Sequence, residues 1–148
     1  MANTIFELSK YVALLGWGLL VLSLFAPGTR RFAWPIAQFV LPAALCLLYL
    51  VMVWAGRHDL HLPNSFTELE GIGRLYLNEN ALTASWLHFL SLDLFAGAWI
   101  VRDGVSRGIS VWLVLVCLPF VLIFAPAGLL LYFIVRLMHS RRADGSGA

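Results

Sequence analysis

Apolar residues gather into four long stretches, at 5–26, 32–56, 82–101 and 109–135, with polar residues concentrated between them. A hydrocarbon layer about 30 Å thick takes roughly 20 helical residues to cross, and each stretch meets that length. The first holds Glu7 and Lys10 in its opening turns and nothing charged from Tyr11 onward. The second has no charge, Gln38 being its most polar member; the third carries His88 and Asp93; the fourth has none. The period-two alternation of a membrane β-barrel is absent. The pattern predicts an all-α integral membrane bundle of four transmembrane helices.

The connection at 57–80 is much longer than the others, and unstructured loops of that length are uncommon. Its second half places Phe66, Leu69, Ile72, Leu75 and Tyr76 at helical spacing, which predicts a short amphipathic helix lying in the interface. Residues 140–148 are small and polar and are expected to be a disordered tail on a single domain of residues 1–139. The first stretch has the Lys and apolar run of a signal peptide but no small-x-small cleavage site near Pro27, so it is read as a helix. Four crossings place both termini on one side, with Lys10, Arg57, Arg74, Arg136, Arg141 and Arg142. Arg30, Arg31, Arg102 and Arg107 fall on the other. A division of six against four leaves the orientation open, leaning toward termini in the cytoplasm. Trp34, Trp54, Trp99 and Trp112 read as headgroup-level belt residues, Trp17 and Trp86 as packing or pocket walls.

Composition agrees with this picture and narrows it. Hydrophobic residues make up 61% of the 148 and charged residues 12%, against roughly 45–50% and about 25% in soluble domains. The mean hydropathy is +0.85. A net charge of +2 without a basic run excludes a nucleic-acid partner. Cys46 and Cys117 lie inside apolar stretches and read as small hydrophobes.

Asp93 is the strongest chemical signal, because a carboxyl near the midplane is costly and must face the bundle interior, pairing or staying protonated. It is a candidate proton donor or base in an apolar cavity; the structural alternative is a hydrogen bond joining two helices. Trp86, Leu90 and Gly97 share its helical face, Gly97 permitting close approach of a neighbouring backbone. His88 lies five residues away, about 140° around the helix, so the two form no intrahelical pair. Pro119 and Pro126 free the carbonyls of Leu115 and Leu122, to which a protonated Asp93 can donate, and Pro126-Ala-Gly128 is locally deformable. Glu79 or Asn80 is placed to cap the third span, and Glu68 and Glu70 read as a solvated face or a cavity mouth. His58 and His61 have ligand spacing without a third ligand, so no metal site is expected; Gly71-Ile-Gly73 is no nucleotide fingerprint.

From Phe66 onward the residues are recognisable as a set. They run Leu69-Glu70-Gly71, Leu77-Asn78, Trp86-Leu-His88-Phe89-Leu90-Ser91-Leu92-Asp93-Leu94-Phe95-Ala96-Gly97, Asp103, Pro119, then Pro126-Ala-Gly128-Leu129-Leu130-Leu131-Tyr132 and Arg136. About half the chain in this way resembles the abscisic-acid-deficient-four family, four-span membrane proteins of plastids and bacteria whose plant members are associated with making neoxanthin from violaxanthin. The resemblance implies isomerisation of a carotenoid epoxide, a reaction needing an acid at the epoxide oxygen and a base at a nearby C–H but no cofactor. It implies Asp93 and His88 as the catalytic pair, Glu70 and Asn78 as groups orienting the end ring, and Trp86, Gly97, Tyr132 and Arg136 as further substrate-binding residues.

The partners expected are membrane lipid and an apolar isoprenoid or carotenoid ligand, together with a homo-oligomer or a partner membrane enzyme. With no Arg- and Ser-rich presequence, the expected location is a bacterial inner membrane, or a plastid membrane for a trimmed chain. The competing class is a non-enzymatic pigment- or lipid-binding or scaffold protein. Ion or proton transport is the weaker third, since a single midplane acid makes no relay.

Overall fold

The computed structural model describes residues 1–57 and 68–145. It is all-helical among those residues, with four helical segments long and apolar enough to cross a membrane. These are α1 (Ala2–Phe25), α2 (Pro27–Gly56), α4 (Glu79–Ser106) and α5 (Val111–Gly145), with the short α3 (Leu69–Leu75) between the second and third. The expected amphipathic segment is therefore helical from Leu69; its Phe66, like His58 and His61, lies outside the described residues.

Helix α4 is the centre of the bundle. Along α1, Phe6 meets Trp86 at 5.1 Å between ring centroids, and Trp17 meets Gly97, so the two helices run parallel in matching register. A Cβ on Gly97 would lie 2.6 Å from Trp17 Cη2, and one on Gly16 would lie 2.6 Å from Leu94. The partner that Gly97 admits is thus an indole ring rather than a backbone. Helix α2 runs back antiparallel, its far end docking on the start of α4 where Gly56 approaches Asn80. Near its middle Ile36–Val40 winds with the wider i→i+5 pattern. Pro42, with no N–H to give the carbonyl four residues earlier, accounts for a break in the regular ladder here.

The last segment departs from a straight crossing. Phe124 is non-helical (φ −138°, ψ 72°), and the helix folds back there into two arms, residues 111–123 and 125–145. In a straight helix Val114 and Tyr132 would stand about 27 Å apart, yet both lie beside Gly104, whose Cβ would be 2.6 Å from Val114 and 3.6 Å from the Tyr132 hydroxyl. Near the tip the arms cross so closely that a Cβ on Gly128 would stand 2.3 Å from the Val121 nitrogen. Pro126-Ala-Gly128 does mark the deformable point, while Pro119 stays inside the first arm.

The fold-back changes which residues share an end of the bundle. Ala2, Asn3 and Phe6 adjoin Glu79 and Trp86 at the start of α4, whereas Arg136 and His139 meet Asp103 and Arg107 at its finish. Residues 2–6 and 136–139 therefore sit at opposite ends, not at the same end as four straight crossings require. The second arm continues to Gly145, beyond the Ser140 at which the sequence pattern places the start of a tail.

Candidate functional site

Three places bring chemistry-bearing residues together. The first is a cavity of about 320 Å³ between the end of α2, the underside of α3 and the start of α4. Its walls are mostly apolar (Met52, Val53, Ile72, Leu75, Ala81 and Ala84), and the hydroxyl-bearing residues that line it are Tyr49, Tyr76 and Ser85. The Ser85 hydroxyl is committed to the Ala81 carbonyl at 3.0 Å; those of Tyr49 and Tyr76 hold no hydrogen bond among the described residues. Helix α3 splits its apolar residues, with Ile72 and Leu75 facing the cavity and Leu69 87% exposed, as a helix half-sunk in an interface requires. Glu70 points away, paired with Arg74 at 2.6 Å with both side chains largely exposed. Asn78 caps α4, its side-chain oxygen accepting from the Asn80 and Ala81 amides at 2.9 and 3.1 Å. The cap is Asn78, then, rather than Glu79 or Asn80.

The second place is the middle of α4. His88 is exposed on the bundle exterior, its ring 6.1 Å from that of Tyr49 and 5.8 Å from Phe89. Through Tyr49 it adjoins the first cavity. Asp93 is half-buried and, among the described residues, has no hydrogen bond or ion pair; it donates to neither proline-freed carbonyl. It lies on the stripe of Gly97, Ile100 and Gly104, which faces α1 and the folded-back arms. The structure does not bring His88 and Asp93 together. Trp86 belongs to a separate cleft with Ala2, Phe6 and Thr83, and Gly97 is filled by Trp17. The Trp17 Nε1 is buried without an acceptor among the described residues.

The third place, at the far end of α4, is an ionic cluster assembled by the hairpin. Tyr132, fully buried, donates to the Asp103 carboxylate at 2.7 Å. Arg107 donates to the same carboxylate at 2.9 and 3.0 Å, and Arg136 stands 3.3 Å away. Trp99 meets Tyr132 edge-on at 5.5 Å and carries the Arg136 guanidinium over its face at 5.8 Å. Tyr132 and Arg136 are thus joined to Asp103 and kept far from Glu70 and Asn78. Asp103 and Arg107 are the residues a sequence reading passes over as site members. Their signals are the i,i+4 acid–base spacing and, for Asp103, its place in the set that carries the resemblance; neither shows the pairing, because the partners on the second arm come within reach only once the chain reverses at Phe124.

No group of three or more metal-ligating side chains occurs among the described residues. No solved structure matches the chain. Protein ABA DEFICIENT 4, chloroplastic, of Arabidopsis thaliana is 24% identical over 140 residues, covering 92% of this chain. The match takes in 62% of that relative, so the chain spans about three fifths of its length. A family model described as ABA DEFICIENT 4-like matches residues 4–132, nearly the whole helical bundle. By that match the chain belongs to the ABA DEFICIENT 4-like family.

Proposed function

We propose that the protein binds a carotenoid or related apolar isoprenoid and isomerises its oxygenated end ring by acid–base chemistry, with no redox cofactor. The cavity beneath α3 carries this reading. Its 320 Å³ lies at the low end of ligand pockets, roughly 300–1,000 Å³, enough for an end ring while the polyene extends into lipid. An epoxide oxygen entering it meets walls that are apolar apart from Tyr49, Tyr76 and Ser85. Opening the epoxide breaks a C–O bond, adds a proton to the oxygen and removes one from a neighbouring carbon, so no electrons are exchanged. In this reading Tyr49 delivers the proton, with His88 behind it as the group that exchanges with phenol or water. The base is assigned to Asp93 on its chemistry alone, as a half-buried carboxyl without a partner among the described residues, since it lies outside the cavity lining; the Asp93→Asn variant tests that assignment.

The test is turnover in liposomes loaded with an epoxy-carotenoid, followed by chromatographic retention and absorption spectrum, since an isomer keeps its mass. Ala84→Leu, which fills the cavity, is expected to abolish binding and conversion; binding that survives it refutes the placement. Asp93→Asn and His88→Gln are expected to bind without converting, and undiminished turnover in either removes that residue from the chemistry. The separation of His88 and Asp93 on two faces of α4 favours the second reading, a pigment-binding protein without turnover. Its signature is pigment that stays bound and unchanged in the wild type.

A further inference from the structure

The hairpin sorts the charges of the chain by end. With the second arm returned, Arg30, Arg31, Arg102, Arg107, Arg136, Arg141 and Arg142 share one end of the bundle, leaving Lys10, Arg57 and Arg74 with Glu7, Glu68, Glu70 and Glu79 at the other. Seven basic residues against three is a decisive division under the positive-inside rule. The basic end faces the cytoplasm or its organellar equivalent, where the leaflet is anionic.

Within that end the arginines differ. Arg107 and Arg136 are both paired with Asp103, whose single charge offsets one of theirs and whose carboxylate is engaged by them and by Tyr132. Arg30, Arg31 and Arg102 have no carboxylate partner among the described residues. Arg30 donates to the Ser23 carbonyl at 3.0 Å and Arg102 to the Gln38 side chain. Both guanidinium groups lie over the Trp34 indole, at 5.8 and 5.7 Å from its centroid, and Trp34 is fixed in turn by donating to the Ser23 hydroxyl at 3.1 Å. Between the three arginines lies a hollow of about 230 Å³ completed by Trp34, Pro35 and Phe39.

We infer that this hollow is a binding site for the phosphate of an anionic phospholipid headgroup. Guanidinium forks match phosphate oxygens in geometry and charge, and three of them line one hollow without a carboxylate partner among the described residues. The rim specifies a lipid rather than a free ion. Phe32 and Phe39 are exposed beside the arginines, continuous with the lipid-facing surface of α2, where acyl chains descending from a headgroup would lie.

The experiment measures binding to the purified full chain in detergent, using short-chain phosphatidylglycerol, phosphatidylcholine of the same chain length, and inorganic phosphate as probes. Phosphatidylglycerol is expected to bind at least tenfold more tightly than either of the others. Arg31→Gln, whose side chain makes no hydrogen bond among the described residues, and the double variant Arg31→Gln/Arg102→Gln are expected to weaken it tenfold or more. Arg57→Gln/Arg74→Gln, at the opposite end, is expected to leave it unchanged. Equal loss in the two double variants would mean general charge attraction and overturns the site. So does undiminished binding in Arg31→Gln/Arg102→Gln. Inorganic phosphate binding as tightly as the lipid overturns the lipid assignment.

Discussion

Replacing Gly128 by alanine tests the fold-back directly. A Cβ there would stand 2.3 Å from the Val121 nitrogen, 2.5 Å from Val121 Cγ2 and 2.7 Å from the Phe120 carbonyl carbon. Ordinary contact begins at 3.4 Å, so the arms must part by about 1.1 Å, and the obstacle is backbone that no rotamer change can clear. Alanine gains roughly 1 kcal/mol over glycine in a helix, while forced overpacking costs about 1–3 kcal/mol, sometimes more. With the clash set against main chain the cost falls at the upper end, leaving Gly128→Ala about 2 kcal/mol less stable than the wild type. Gly18→Ala is the matched control, because a Cβ on Gly18 meets nothing within 4 Å; it is expected to be neutral or up to about 1 kcal/mol stabilising. Equilibrium unfolding in mixed micelles, titrated with a denaturing detergent, reads both. If Gly128→Ala proves as stable as Gly18→Ala, the arms do not cross at this glycine and the hairpin is wrong.

Three further substitutions examine the helix contacts. Tyr132→Phe removes the hydroxyl that donates to Asp103 at 2.7 Å, a bond to a charged group worth about 1.5–3 kcal/mol; the same titration should show that loss, and a smaller one would mean that the cluster is open to water. Gly97→Ala places a Cβ 2.6 Å from the rigid Trp17 ring and is expected to cost about 1–3 kcal/mol with a shifted tryptophan emission; an unchanged spectrum would contradict the α1–α4 register. Asn78→Ala deletes the cap of α4 and should cost about 1 kcal/mol, with faster hydrogen exchange at the Asn80 and Ala81 amides as its local signature.

How much was legible in the sequence follows from what hydropathy measures. The apolar runs located the first three segments to within about five residues and the start of the fourth to within two, though not its end at Gly145, because desolvating a backbone in lipid demands helix and leaves no competing structure. The spacing of Leu69, Ile72 and Leu75 foretold the short helix at Leu69–Leu75, because apolar residues at helical intervals give one face to bury. Direction, however, is not encoded in an apolar run: residues 109–135 satisfy the length of a single crossing and equally the two arms of a re-entrant hairpin. Proline and glycine near 126–128 marked a weak point without telling a kink from a reversal. That single ambiguity moved Tyr132 and Arg136 from one membrane face to the other, and so separated them from Glu70 and Asn78. The 140° between His88 and Asp93 was readable, and the fold kept them apart as the angle required. The cavity was not readable, since it arises from Tyr49, Ile72 and Ala84 on three helices whose docking depends on Gly56 meeting Asn80.

Whether the last segment crosses or returns is decided by where its far end emerges. The first arm, residues 111–123, is roughly 20 Å of helix, which reaches about two thirds of the way through a layer of about 30 Å and puts Phe124 deep among acyl chains. A straight helix would instead carry Arg136, Arg141 and Arg142 out beside Lys10 and Arg57. The two arrangements give opposite labelling patterns. In oriented vesicles, single cysteines introduced at Asn3 and at Ser140 are expected to react with an impermeant maleimide from opposite sides, and one at Phe124 from neither. Reaction of the first two from the same side would restore the four-crossing bundle, return the basic residues to a division of six against four, and remove the charge asymmetry that turns the three-arginine hollow toward the cytoplasmic leaflet.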